Sequence, residues 1–479
     1  MATLFPTVTS HWFPPYDSEY WNKELECMKP HEREELIVRK LKHLLKYAYD
    51  NSLYYHETFK RIGLDIDSIN SLEEFSKKVP LTTKAILREE QTKYPAFGRL
   101  MVSGGKVRHV MASSGTTGKP TYVPFSDEDL QMSSEAFARI MWSFGVRPGM
   151  RIMIAAMFTL YAGAWGIYLG SQRLNLELVP VGAGSPGATR NAVIAAKDMK
   201  PHILYATPSY ILHFLETSRS LGVDPAKDYD FKIIFGSGEP GLSLPSVKKR
   251  IKSMVGEHVK VIDTGSMVEA MPWITNAECR FERGMHLWQD IVYTELLEEG
   301  TGELVAYGEE GVLTYTPLER RLYPIIRYVS GDLSMWTDEP CECGRTYPRL
   351  PKGIYGRVDD MFEVKGVKIL PSFIQETLEG HPSYNGEFRI VLGEEAAREY
   401  LKLVVEVTPE AWTKASRDKV EFERLSNDLA RFVRDRVGVT PLIEIVPPGT
   451  LERSVHKAKR IVDERFIYKE LQKLREGSG

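Results

Sequence analysis

The sequence predicts an α/β protein: a large N-terminal domain with mostly parallel sheets covered by helices, then a smaller α+β domain. Three observations predict it. From Arg151 onward, short apolar runs alternate with amphipathic segments of helical length, the pattern of β–α–β units around a parallel sheet. A Pro/Gly-rich stretch then breaks that pattern, Pro340-Cys-Glu-Cys-Gly followed by Pro348-Arg-Leu-Pro-Lys-Gly, and reads as an inter-domain connection. Beyond Gly356 the chain restarts with short strands and helical patterns. The predicted domains are residues 1–355 and 356–476, with Gly477-Ser478-Gly479 read as an appended tail.

Taken in order, the opening hundred residues read as helical, with leucines at helical spacing between Arg33 and Tyr49. Strand-like runs follow at Arg151–Ala156, Leu176–Pro180, His202–Ala206, Lys232–Phe235 and Val259–Asp263. Helical patterns lie at Thr189–Met199, Pro208–Gly222 and Leu244–Val255. The uncharged stretch Ile152–Gly170 is long enough for a membrane span. Its glycines, threonine and tyrosines, and its place inside the β/α alternation, argue instead for a buried strand, a loop and a packed helix. In the small domain, strands are expected at Met361–Ile369, Phe388–Leu392 and Leu401–Val407, and helices at Ser372–Glu379 and Arg417–Val437. Loops at the carboxyl ends of parallel strands are where such sheets bind ligands.

The balance of 62 basic against 65 acidic residues leaves a net charge of −3, no footprint for nucleic acid. The N-terminus lacks the basic and apolar segments of a secretory signal. Four cysteines in 479 residues do not make a disulfide framework, so a cytoplasmic, reducing setting is expected.

The stretch Ser113-Ser114-Gly115-Thr116-Thr117-Gly118-Lys119-Pro120-Thr121 concentrates hydroxyls, glycines and a lysine. Glycines let backbone N–H groups close on an anion, and hydroxyls and lysine add donors and charge. The same composition suits a flexible surface turn. The spacing is not that of the common nucleotide P-loop, which needs four residues between its glycines and Ser or Thr after the lysine. Cys341-x-Cys343 before a glycine, with Cys279 and His286 separated by six residues, offers three thiols and an imidazole. Such a set suits a tetrahedral structural zinc site, although free cysteines are also commonly just buried.

The 113–121 stretch resembles the phosphate loop of the adenylate-forming superfamily and, within it, of phenylacetate–CoA ligase-like enzymes. Further segments recur in that family's order: Ala206-Thr-Pro-Ser-Tyr, Phe235-Gly-Ser-Gly-Glu-Pro, Asp263 to Glu269, Pro324 to Asp332, Gly356-Arg-Val-Asp-Asp360, Val364 to Pro371 and Leu451 to Arg460. The resemblance runs from about Trp21 to near the C-terminus. It implies an AMP-forming acid–CoA ligase that uses ATP, Mg²⁺ and CoA, with a small domain that rotates between half-reactions. The 113–119 residues would hold the departing phosphates. Ser237, Gly238, Glu239, Pro240, Asp263, Thr264, Asp332 and Arg357 would bind the nucleotide, and Asp332 would accept from the ribose hydroxyls. Glu269 would hold Mg²⁺ and Lys457 would bridge carboxylate and α-phosphate. Asp359 occupies the hinge position and Gly366 the loop that lines the pantetheine tunnel. Ala156, Phe158, Tyr161, Phe235 and Gly236 would wall the pocket for an acid, expected to be aromatic. Some family members carry residues similar to the zinc set, and enzymes of this type are often homodimers.

This chain departs from the pattern. Gly265, Ser266 and Val268 replace an adenine-stacking aromatic, a glycine and a Ser or Thr, and His456 stands where a glycine usually precedes the lysine. The other expectations kept open are an adenylating enzyme with an amine, carrier-thiol or cofactor acceptor, and a nucleotide- or zinc-binding module without turnover.

Overall fold

The computed structural model describes residues 12–113, 120–183, 187–395, 398–451 and 460–465. Its first part is helical as expected, with helices Pro30–Asn51, Leu53–Ile62, Leu72–Lys78 and Lys84–Lys93. Pro at the first turn starts the longest of these, and Leu36, Ile37, Leu41, Leu44, Leu45 and Ala48 line its buried face. Helix Lys84–Lys93 begins at Thr83, whose side chain accepts from the Ile86 N–H.

An eight-stranded sheet forms the centre. In spatial order it runs Arg349–Leu350, Met285–Leu287, Asn276–Glu278, Lys260–Gly265, Ile233–Gly236, Ile203–Ala206, Arg151–Ile154 and Glu177–Pro180. The last five are parallel. The first three continue the sheet antiparallel from Lys260–Gly265. A second, antiparallel sheet joins Val292–Leu297, Glu310–Pro317, Tyr328–Met335 and Gly356–Arg357. The sequence pattern reveals the parallel half but not these additions. Four of the added strands have two or three residues, and Val292–Leu297 is buried at every position, so no alternation marks it.

The Ile152–Gly170 stretch is strand Arg151–Ile154, a loop, and helix Gly163–Arg173. Among the described residues no helix is long and apolar enough to cross a membrane.

Residues 362–461 enclose an apolar cluster of their own, built from Phe362, Ile390, Leu403, Leu429 and Val433 among others. Its sheet runs Leu442–Val446, Arg398–Val407, Tyr384–Glu395, Ile461–Asp463. The helix expected from Arg417 starts at Lys419, because Asp418 caps it by accepting from the Val420 N–H. A separate short helix, Pro409–Ala415, precedes it.

A buried ionic network fastens the N-terminal segment to the loop before residue 348. Arg139 Nη1 lies 2.6 Å from Asp290 Oδ2 and its Nε 3.2 Å from Glu26 Oε1. Arg345 Nη2 lies 2.8 Å from Glu26 Oε2, and the Tyr347 hydroxyl donates to Asp290 Oδ1 at 2.5 Å. All four charged groups are buried.

Candidate active site

The parallel strands end on one side of the sheet, and the residues singled out by sequence gather in the segments that leave those ends. Strand Ile233–Gly236 leads into Ser237-Gly238-Glu239-Pro240. Gly236 and Gly238 are there because of close approach. A Cβ at Gly236 would lie 2.4 Å from the Ala206 carbonyl oxygen, and one at Gly238 (φ +100°) 2.6 Å from the Tyr161 hydroxyl. Glu239 Oε1 accepts from the Ser209 N–H at 2.7 Å, anchoring the turn to the segment after Ala206.

The neighbouring strand Lys260–Gly265 ends in Asp263-Thr264-Gly265. Thr264 Oγ1 donates to the Gly236 carbonyl at 2.8 Å, joining the two strand ends. Asp263 is buried, hydrogen-bonded to Ser243, and its N–H donates to Glu278 Oε2 at 2.8 Å. Burial, reinforced by the Glu278 charge, pushes the Asp263 carboxyl up to about 7. Lys248 lies 2.5 Å from Glu278 Oε2 and offsets part of that charge. Where the family pattern has an aromatic, a Cβ at Gly265 would meet Ile354 Cδ1 at 2.9 Å and Met285 at 3.7 Å, so an aliphatic side chain fills that place.

Glu269 lies in the short turn Val268–Ala270 and is fully buried. Its Oε1 accepts from the Tyr328 hydroxyl at 3.3 Å, while its Oε2 has no hydrogen-bond partner among the described residues. A buried carboxylate oxygen without a donor is what a cation-binding position leaves behind when the protein alone is considered. Arg320, itself buried, donates to the Glu269 carbonyl at 2.9 Å and the Pro124 carbonyl at 3.2 Å. It thereby fixes the carboxylate's backbone to strand Thr121–Phe125.

Strand Tyr328–Met335 carries Asp332 directly opposite Arg357. Arg357 Nη1 donates to Asp332 Oδ1 at 2.7 Å, and its Nε to Asp359 Oδ1 at 2.8 Å. Burial opposes ionisation of Asp359, but the Arg357 hydrogen bond and charge win and hold that carboxyl low.

Strands His109–Ser113 and Thr121–Phe125 pair antiparallel and bring Ser113 opposite Thr121, at the base of the expected phosphate loop. Both hydroxyl oxygens are buried without a hydrogen-bond partner among the described residues. Ser114, Gly115, Thr116, Thr117, Gly118, Lys119, His456 and Lys457 lie outside the described residues. The Ala112 N–H donates to the Leu160 carbonyl at 2.8 Å, joining this hairpin to the loop that carries Phe158 and Tyr161.

Of the expected acid-pocket residues, Ala156 and Phe235 belong to the main apolar core and Phe158 packs against it. Phe158 and Trp165 meet edge to face at 5.2 Å. Tyr205, which the sequence did not single out, shares a 2.7 Å hydrogen bond with Ser237. Burial pushes the Tyr161 hydroxyl up to about 12, with the Glu239 charge adding to the shift. Gly366 turns the hairpin between Phe362–Val364 and Val367–Ile369 at φ +77°, with open space where a Cβ would stand.

The zinc set is drawn together by the antiparallel strands Asn276–Glu278 and Met285–Leu287. The ligand atoms of Cys279, His286, Cys341 and Cys343 all lie within 4.8 Å of one another and are buried. Cys279 Sγ and Cys341 Sγ are 3.7 Å apart, and Cys343 Sγ lies 3.4 Å from His286 Nε2. A tetrahedron of ligands at the usual zinc distances has edges of about 3.6–3.8 Å, so the residues fit the metal.

Two segments match families of known proteins: residues 366–465 the AMP-binding enzyme C-terminal domain, and residues 50–164 the GH3 family N-terminal domain. The chain is 32% identical over 457 residues to the phenylacetate-coenzyme A ligase of Thermus thermophilus, covering 93% of this chain and 99% of the relative. It is 37% identical to a 2-hydroxyisobutyryl-CoA ligase whose crystal structure, in the postadenylation state with 2-HIB-AMP, superposes with a TM-score of 0.91 over 98% of each chain. The same ligase with 2-HIB-AMP and CoA in the thioesterification state gives 0.72 at 38% identity and the same coverage. At nearly the same identity and coverage, the chain is thus more similar to the first of these two structures than to the second. The chain belongs to the phenylacetate–coenzyme A ligase family of the adenylate-forming superfamily.

Proposed function

We propose that the protein is an ATP-dependent, AMP-forming acid–CoA ligase for an aromatic carboxylic acid. The observation that carries the reading is the joint placement, along strand Tyr328–Met335, of buried Glu269 against Tyr328, with one carboxylate oxygen unpartnered among the described residues, and of the Asp332–Arg357–Asp359 chain. That arrangement offers a cation position and a ribose carboxylate on one wall, as a nucleotide triphosphate requires.

A carboxylate oxygen of the acid attacks the α-phosphorus, and the bond to the β-phosphate breaks with pyrophosphate leaving. The thiol sulfur of CoA, having given up its proton, then attacks the acyl carbon, and AMP leaves with the anhydride oxygen's electron pair. Asp332 orients the ribose, Arg357 holds the nucleotide between Asp332 and Asp359, and the 113–119 residues take the departing phosphates. Glu269 is the residue to hold Mg²⁺, which would offset polyphosphate charge. Lys457 is assigned to the negative charge gathering between carboxylate and α-phosphate. Rotation of residues 356–476 about Asp359 would exchange that lysine for the Gly366 turn at the CoA entrance. Cys279, His286, Cys341 and Cys343 would hold a structural zinc ion, closed to substrate because all four positions are protein ligands. The four free thiols fit a reducing, cytoplasmic setting, and a homodimer is the expected assembly.

The test is acid-dependent exchange of labelled pyrophosphate into ATP, followed by mass detection of the CoA thioester, across a panel of aryl and aliphatic acids. Exchange without thioester formation for any acid would mean a different acceptor. A Lys457→Ala variant with undiminished exchange would remove that lysine from the first step.

One observation favours a second reading of the acid. Ser237 and Tyr205 form a hydroxyl pair at the turn that Tyr161 overhangs. A site with such groups selects strongly for an acid that hydrogen-bonds them. A hydroxy acid preferred over its deoxy counterpart in the same panel would establish that reading.

A further inference from the structure

Helix Pro245–Val255 touches strand Lys260–Gly265 of the central sheet on one side and helix Pro371–Glu379 of the C-terminal domain on another. Arg250 lies on this helix, and Glu216 Oε1 holds its Nη2 at 2.5 Å. The same nitrogen reaches into the C-terminal domain and donates to the Asn385 carbonyl at 2.9 Å. Gly386 follows at φ +92°, and a Cβ there would overlap Arg250 Nη1. The bare backbone at 386 is what admits the guanidinium.

Asn385, Gly386 and Glu387 fall where the pairing of strands Tyr384–Glu395 and Arg398–Val407 shifts register, between Tyr384 and Phe388. Such an irregularity re-aims residues out of a sheet, and here it presents the Asn385 carbonyl to Arg250. The same segment also holds Arg460. Its Nη1 lies 3.3 Å from Glu387 Oε2, and its guanidinium carbon 4.4 Å from the centre of the Phe388 ring. The Ile390 N–H donates to the Arg460 carbonyl at 2.7 Å, so the backbone at 460 is pinned to this strand too. Arg460 stands three residues after Lys457 in the sequence. Glu216, Arg250, the 385–387 backbone and Arg460 thus form one chain of contacts, from the central sheet's helices to the end of the lysine-bearing segment.

We propose that Arg250 is a positioning residue, a latch that holds the C-terminal domain in the arrangement used for adenylate formation and releases it before CoA attacks. The inference rests on the acid–CoA ligase reading above. The first half-reaction is the one served, because the latch bears on the strand that anchors Arg460, next to the segment of Lys457. Rotation about Asp359 carries Asn385 and Gly386 with the C-terminal domain, whereas Glu216 and Arg250 stay behind. The second arrangement therefore lacks this bond. Arg250 touches no substrate; it acts on the population of one arrangement. A half-exposed hydrogen bond from a guanidinium is strong enough to bias that population and weak enough to be given up in every turnover.

The experiment compares the full-length parent with Arg250→Ala, Arg250→Lys and Gly386→Ala in two assays, using the acid that gives the fastest exchange in the panel above. One assay is pyrophosphate exchange. The other is single-turnover thioester formation from the chemically prepared acyl-adenylate and CoA. Arg250→Ala should lose about tenfold in exchange, the low end for a hydrogen bond to a charged group. Its thioester formation should match or exceed the parent's, which also reports an intact fold. Arg250→Lys keeps the charge and a donor and should recover part of the exchange. Gly386→Ala should reproduce the loss, since its methyl displaces the guanidinium, and combining it with Arg250→Ala should cost little more. Undiminished exchange in Arg250→Ala overturns the proposal, as does an equal loss in both assays. A parent without exchange, or without thioester formation, overturns the ligase reading and this inference with it.

Discussion

Replacing Asp263 with Asn should change how stability depends on pH. In the folded protein this carboxyl is buried beside Glu278 and titrates near 7, against an ordinary value of 3.8. Because the folded value is raised, the stabilising contribution is complete below the unfolded value and is lost as pH climbs through about 7. A displacement of that size disfavours the ionised folded state by about 4 kcal/mol in all. Roughly 2–3 kcal/mol of it falls between pH 5 and pH 8. Urea unfolding of parent and Asp263→Asn at those two pH values measures the difference directly. The parent should lose more stability than the variant between them, by roughly that amount, with an unchanged denaturant slope. Glu278 is also pushed up by burial, so both proteins keep some decline. Parallel curves for the two proteins would refute the account of Asp263.

Cys341→Ser should release near-stoichiometric zinc, read by elemental analysis. It should also cost the parent a stabilisation of about 4 kcal/mol when free metal stands at 1,000 times its dissociation constant. Absence of zinc in the purified parent would end that assignment. Asp290→Ala removes the acceptor of Arg139 and Tyr347 in the buried network and should destabilise by about 3–5 kcal/mol in chemical unfolding, leaving nucleotide affinity unchanged. Glu269→Gln keeps the side chain's shape but removes its charge. Pyrophosphate exchange should fall by about 100-fold or more, with adenosine binding retained.

Much of this architecture is legible in the chain because parallel strands buried on both faces leave uniform apolar runs, as at Ile203–Ala206 and Ile233–Gly236. Strands of two or three residues, such as Met285–Leu287, are too short to carry a period, yet they gather the cysteines and His286. The residues proposed to bind the nucleotide come from ordered motifs rather than from periodicity. The docking of helix Lys84–Lys93 through the Thr82–Tyr328 bridge is not legible, because Thr-Lys-Ala-Ile-Leu-Arg is ordinary helix-start composition. Only folding sets the helix against Tyr328, more than two hundred residues away. Ile354 at Gly265 is invisible for the same reason: a glycine in sequence says that room exists, not what fills it. Ser237 was legible as part of a motif, but its hydroxyl partnership with Tyr205 needed the register of two neighbouring parallel strands.

The hydrogen bond from the Ala112 N–H to the Leu160 carbonyl joins strand His109–Ser113 to the segment bearing Phe158 and Tyr161. If an acid seated on the second segment shifts the first, thermodynamic reciprocity makes the influence equal in both directions. An acid that seats well should tighten ATP by the same factor by which ATP tightens that acid. Discrimination between acids would then be exercised partly through the nucleotide, before any bond is made.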